Sequence, residues 1–172
     1  MARALDVANY FLAALGADPE SDLTNLKLQK LCAYAQAFSL ALLGRPLFEE
    51  RLEAWTHGPV VPTVYEAFKG NGRQVIPDNG MSEQYAREPF DDEQKLVLEI
   101  VAKEYGMISA WELRTRSHRD FPGLFGSKQA IPDGDIARQF ATMPEIRALR
   151  DYVPAEEGGM LTEKEFWNAV SA

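Results

Sequence analysis

The residues best suited to chemistry are two histidines, one cysteine and a nearby carboxylate. His118 lies two positions before Asp120, and a histidine beside a carboxylate can act in general acid–base catalysis. A hydrolase would also need a nucleophile or a phosphate-binding loop, but the sequence contains neither a G-x-S-x-G elbow nor a P-loop. A zinc site needs three or four ligands, and His57, His118 and Cys32 do not have metal-ligand spacing. We therefore expect no enzyme, no metal site and no cofactor.

The elements that must position these residues are mostly helices. Apolar residues recur at helical spacing, and capping residues, prolines and glycines mark the ends of each run. Cys32 lies within one such apolar stripe, so we expect it to be a buried small apolar residue. The pattern predicts helices over about 5–15, 24–44, 62–68, 92–105, 109–116, 133–140 and 144–152, with a last short helix from Thr162.

Strand signals are sparse. Leu47 to Trp55 favours an extended piece, and 74–76 could form a short strand. The step His57-Gly58-Pro59 should leave regular structure, because proline disfavours helix in the residue before it. The predicted fold class is mostly α: a single compact helical domain with at most a short β-hairpin or strand pair. Residues 1–150 form this domain, and 151–172 add an acidic segment of the same domain.

Composition narrows the function further. The chain has 172 residues, 46% of them hydrophobic, which suits one packed core. Its net charge of −8 argues against binding to a nucleic-acid backbone. Cys32 is the only cysteine, which fits a reducing compartment. Without a signal peptide or a membrane-spanning apolar run, the expected location is cytoplasmic.

Several motifs follow one another in an order that is more specific than any one of them. The first block comprises Lys27-Leu28-Gln29-Lys30-Leu31 with Tyr34 and Gln36, then Pro46-Leu47-Phe48, Glu53-Ala54-Trp55, and Gly58-Pro59-Val60-Val61-Pro62 with Tyr65. The second block comprises Leu113, Ser117-His118, Pro122, Ile131-Pro132, Ile136 and Phe140. Together they resemble the Panacea domain, the domain of SocA-like antitoxins and phage-associated GepA proteins. The resemblance covers about residues 5–142.

The resemblance implies a protein that works by binding another protein. A Panacea-type antitoxin binds and neutralises a cognate protein toxin encoded nearby. It could also act as a proteolytic adaptor that delivers the toxin to a cytoplasmic AAA+ protease of the ClpXP type. Two alternatives stay open: a DNA-binding transcriptional regulator, and another phage-associated interaction protein.

The turn from Trp55 to Pro62 is the strongest candidate for partner contact. Prolines fix the turn, so its apolar residues could be presented at low entropic cost. Alternatively, Trp55 and Val60 anchor the turn in the core. Lys27 and Lys30 share a helix face, which is either solvated or in contact with a polar partner. The candidate partner-binding residues are Lys27, Lys30, Tyr34, Gln36, Trp55, His57, Pro59, Val60, Tyr65 and His118.

Two charged segments leave further alternatives open. The first is basic and contains Arg114, Arg116, Arg119 and Lys128. It fits a solvated helix face better than a phosphate site. The second is the acidic segment after residue 150, which could hold a basic toxin surface or only aid solubility.

Overall fold

Helix α2 (Asn25–Leu43) runs through the middle of the molecule, and the other helices pack around it. The computed structural model describes residues 1–77 and 86–150. Around α2 lie α1 (Ala4–Leu15), α3 (Pro62–Phe68), α4 (Asp92–Tyr105), α5 (Ala110–Asp120), α6 (Asp133–Phe140) and α7 (Pro144–Arg150). Short 3₁₀ turns occupy Pro19–Ser21 and Lys69–Asn71.

The ends of α2 follow from its sequence. The Thr24 hydroxyl accepts a hydrogen bond from the Lys27 N–H at 3.3 Å, and Gly44 ends the helix with a left-handed φ of +68°. Every residue from Lys27 to Ala41 is buried. A helix enclosed on all sides cannot leave its polar side chains to water, so each needs a partner inside the protein.

Local capping signals also set other helix starts. The Asp91 side chain accepts from the Gln94 N–H at 2.9 Å at the start of α4, and Ser109 caps α5 in the same way.

The predicted mostly helical fold class is confirmed. Helix α5 continues to Asp120, four residues beyond its predicted end at Arg116. The predicted C-terminal helix and acidic segment lie outside the described residues.

A small antiparallel sheet packs beside α2. Strands β1 (Leu52–Trp55) and β2 (Gly58–Val60) form a hairpin, and β3 (Ala130–Ile131) pairs with the other side of β1. The prediction that residues 58 and 59 leave regular structure is wrong, because Pro59 pairs with Ala54 on an edge strand. An edge strand tolerates the missing N–H of proline. Strand β3 was not predicted. The suggested strand at 74–76 is one isolated bridge between Val75 and Thr24.

The core is continuous across these elements and includes Cys32, whose predicted burial is confirmed. Burial raises the pKa of the Cys32 thiol.

Within residues 1–77 and 86–150, no helix is both long enough and apolar enough to cross a bilayer.

Gln36 fastens the irregular segment after α2 to the helix. Its Oε1 accepts from the Leu47 N–H at 2.8 Å and the Phe48 N–H at 3.2 Å, while its Nε2 donates to the Phe48 carbonyl at 2.9 Å. The side chain is 1% exposed, so water cannot replace these bonds. One amide therefore satisfies three backbone groups of a segment whose strand pairing at this point is an isolated bridge between Phe48 and Ala2.

We expect Gln36→Met to lower the free energy of unfolding by about 3 kcal/mol, because three buried backbone groups lose their partner. Urea unfolding followed by circular dichroism measures the change. The exposed Gln74→Met is the matched control and should change stability by less than about 0.5 kcal/mol. A similarly small loss in Gln36→Met would contradict this role.

Candidate functional site

The polar residues of the first motif lie inside the protein. Lys27, Lys30 and Tyr34 are 0% exposed, and Gln36 is 1% exposed. The expectation that the two lysines lie on a solvated or partner-facing helix surface is therefore wrong. Their ammonium groups reach backbone carbonyls contributed by distant segments, which the local sequence does not reveal.

Lys30 and Gln29 hold the second strand of the hairpin against α2. The Lys30 Nζ donates to the Pro59 carbonyl at 2.8 Å, and the Gln29 Oε1 accepts from the Val61 N–H at 3.0 Å. Burial, and secondarily the nearby Arg114 guanidinium, lowers the pKa of Lys30 to about 7. A lysine whose pKa lies near 7 is uncharged for much of the time at neutral pH. Its burial therefore costs much less free energy than the burial of a fully charged lysine.

Lys27 and Tyr34 tie α2 to other segments. The Lys27 Nζ donates to the carbonyls of Ser21 and Gly106. The Tyr34 hydroxyl donates to Asp120 Oδ2 at 2.7 Å, and its ring stacks on Tyr105 with centroids 4.3 Å apart. Burial, followed by the hydrogen bond to Asp120, raises the pKa of Tyr34. These contacts fix the position of α5, which carries Asp120 at its end.

The hairpin also touches α5 closely. Gly58 has a φ of +105°, and a Cβ built there would lie 2.6 Å from Ser117 Oγ and 3.1 Å from Lys30 Nζ. Glycine meets both the dihedral and the steric requirement. His118 holds the turn from the other side: its Nδ1 lies 2.8 Å from the Arg114 carbonyl and its Nε2 3.0 Å from the Thr56 carbonyl.

The outer surface of this junction carries aromatic rings and cations. We call it the hairpin face and define it by Trp55, His57, Trp111, Arg114 and Lys128. Trp111 is 61% exposed, and the Arg114 guanidinium lies 4.7 Å from its ring centroid. The Arg114 Nε donates to His57 Nδ1 at 3.3 Å. The Lys128 ammonium lies 5.0 Å from the Trp55 ring centroid.

The Trp55 ring makes two further contacts. Tyr65 packs edge-on against Trp55 with centroids 4.9 Å apart, and the Trp55 indole N–H donates to Glu53 Oε2 at 2.8 Å. Exposed tryptophan and arginine are the residue types that most often dominate protein–protein binding energy. The hairpin face therefore has the composition of a contact surface for another protein.

The same junction is poorly equipped for catalysis or metal binding. Both ring nitrogens of His118 face backbone carbonyls rather than a nucleophile. Asp120 is engaged with Tyr34 and Arg119. In the part of the chain that the structure describes, no three His, Cys, Asp or Glu side chains gather where a metal ion could bind.

The ten candidate residues fall into two groups. The buried group comprises Lys27, Lys30, Tyr34, Gln36, Pro59 and Val60, and these residues support the hairpin or the core. For Val60 the structure shows the anchoring alternative, because the residue is 5% exposed. The exposed or partly exposed group comprises Trp55, His57, Tyr65 and His118. Trp55 packs against Tyr65, and His118 lies against the Thr56 carbonyl of the same hairpin.

Sequence reasoning missed the contribution of α5 to this surface. Trp111, Arg114 and His118 lie three and four positions apart, which places them on one side of the helix. The spacing is visible in the sequence, but the basic composition of the segment that contains Arg114 and Lys128 favours a solvated helix face. Their stacking on Trp111 and Trp55 depends on contacts between distant segments.

Replacement of Lys30 should remove a pH dependence of stability. The folded-state pKa near 7 lies below the ordinary value of 10.5, so the unfolded chain binds more protons between these pH values. The free energy of unfolding should therefore rise with pH in that window, by up to about 1.4 kcal/mol per pH unit from this group. We expect Lys30→Met to lose this component. Chemical unfolding from pH 7 to 10 measures it, and identical slopes for both proteins would contradict the assignment.

Comparison with known proteins identifies the family of the chain. The family model described as "Antitoxin SocA-like, Panacea domain" matches residues 28–122, from α2 through the hairpin to the end of α5. The Antitoxin SocA of Caulobacter vibrioides (strain NA1000 / CB15N) is 34% identical over 119 residues. The alignment covers 65% of this chain and 63% of that relative. No solved structure matches. The chain belongs to the SocA-like Panacea-domain family.

Proposed function

We propose that this protein is an antitoxin that binds and neutralises a protein toxin encoded nearby. The observation that carries the proposal is the family match over residues 28–122, together with a relative whose name is Antitoxin SocA. The matched region contains four of the five residues of the hairpin face. The proposal therefore rests on the segment that holds the candidate contact surface.

The architecture supports stoichiometric binding. Gly58, Lys30 and His118 fix the hairpin to α2 and α5 in the free protein. A surface that is already ordered loses little conformational entropy when a partner binds. Trp111 would supply apolar contact area, and the charges around it would set orientation and association rate.

The proposal has a second part, which concerns the fate of the toxin. Following the family resemblance, we propose that the protein acts in the cytoplasm as an adaptor and delivers its toxin to a AAA+ protease of the ClpXP type. An adaptor leaves the protease to destroy the toxin, whereas a simple blocker needs to remain bound. The two modes differ in toxin lifetime.

Co-expression with the adjacent open reading frame tests the first part. The neighbour should stop host growth when expressed alone, and growth should return when this chain is added. A tag on this chain should recover the neighbour as a complex. A harmless neighbour that does not co-purify with the folded chain would contradict the antitoxin proposal.

The second part is tested in the same host by following toxin half-life after synthesis is stopped. Delivery predicts a shorter half-life in the presence of this chain, and the shortening should disappear in a strain lacking the protease. An unchanged or longer half-life, with growth still restored, would identify a blocker. The antitoxin proposal would then stand without the adaptor step.

A further inference from the structure

We propose that the hairpin face binds an acidic segment of the protein partner. Carboxylates of the partner would pair with Arg114 and Lys128. The exposed ring of Trp111 would pack on apolar surface of the partner beside those carboxylates. The inference rests on the proposed function, because it names the chemistry of the toxin segment that this face accepts.

The first argument is that these two cations lack counterions. Other arginines in this region form ion pairs: Arg116 with Glu112 at 2.8 Å, and Arg119 with Asp120 at 3.0 Å. Neither Arg114 nor Lys128 forms an ion pair with any residue in 1–77 or 86–150. Both cations lie against residues of the hairpin, Arg114 at His57 and Lys128 at Trp55, in a chain with a net charge of −8.

The second argument is that the Arg114 guanidinium is fixed in a position where it can bind a planar anion. Its guanidinium lies against the Trp111 ring, and its Nε is engaged with His57. The terminal nitrogens form no hydrogen bond with the described part of the chain. A guanidinium fixed in this way offers paired N–H donors that match the geometry of a carboxylate.

The third argument is the backbone of Lys128. Its φ of +59° is left-handed, a conformation that costs free energy for a residue with a side chain. Nearby Gly123 and Gly126 also have positive φ values, and glycine adopts them without strain. The Lys128 N–H donates to the Ala54 carbonyl at 2.9 Å, a bond that glycine could equally make. The strained position keeps a cation over Trp55.

Charge decides between an acidic protein segment and a single-stranded nucleic acid. Aromatic rings beside cations can also stack nucleic-acid bases. A nucleic-acid backbone, however, would bring a long row of phosphates toward an acidic protein. A short acidic segment needs only the local charge of this face, so we assign the face to a protein partner.

The test uses the full-length chain and the purified product of the adjacent gene. Binding is measured by calorimetry at about 50 and about 300 mM sodium chloride. The variants are Arg114→Gln, Lys128→Gly, Lys128→Asn and Trp111→Ala. The matched control is Arg147→Gln, which removes an exposed arginine from α7.

Each face variant should weaken binding by about tenfold at low salt, whereas Arg147→Gln should change it by less than about twofold. The three charge-removing face variants should also reduce the salt dependence of the dissociation constant. Lys128→Gly should raise the thermal unfolding midpoint by about 2 °C while weakening binding, because glycine relieves the left-handed strain. This combination separates a binding role from a structural one.

The failures are distinguishable. A complex that forms with unchanged affinity and salt dependence in all face variants would overturn the inference and leave the antitoxin proposal standing. A folded chain that forms no complex with the toxin would overturn the antitoxin proposal and the inference with it. Tight binding of a fluorescent single-stranded oligonucleotide that is lost in Arg114→Gln would assign the face to nucleic acid instead. Competition by a synthetic peptide of residues 151–172 would assign it to the chain's own acidic segment.

Discussion

The structure depends on hydrogen bonds between the central helix α2, which is buried from Lys27 to Ala41, and the non-helical segment that crosses it. Gln29 and Gln36 lie seven residues apart on one side of α2 and bind the backbone at Val61 and at Leu47–Phe48. Lys30 binds Pro59 between these points. A backbone group left without a partner here would cost about 1–3 kcal/mol. The polar residues of α2 therefore determine where the segment from 47 to 61 can lie.

The position of the hairpin in turn determines the outer surface. With Pro59 held by Lys30, Gly58 comes within contact of Ser117 on α5, and the turn carbonyl of Thr56 meets His118. Trp55 and Trp111 are thus carried by two elements, the hairpin and α5, that contact each other directly. We propose this surface as the partner contact, and a surface that is already ordered would lose little conformational entropy on binding. In that proposal the buried residues of the motif position the hairpin, and the exposed residues contact the partner.

Local signals in the sequence predicted most helix ends, because caps such as Thr24 and Asp91 act within a few residues. Position-specific burial was harder to predict. Lys27 and Lys30 have the spacing of a solvated helix face, and carbonyls outside the helix, at Ser21, Gly106 and Pro59, make their burial possible.

The sheet and the site show the same contrast between features set by local sequence and features set by contacts between distant segments. Strand β3 is two residues long and forms only where β1 offers an edge, so no local pattern marks it. The aromatic content of the hairpin was predicted from residues 55–65. The contribution of Arg114, Trp111 and Lys128 was not, because their meeting with the hairpin depends on how α5 and the segment around Gly126 fold back.

The most direct test of this account is hydrogen–deuterium exchange of the full chain, alone and with the product of the adjacent gene. The account predicts slower exchange on binding in two separate segments, residues 52–60 and 110–120, with little change in α7. Protection confined to α7 or α1, with the hairpin and α5 unaffected, would show that the partner binds elsewhere and would contradict the central claim.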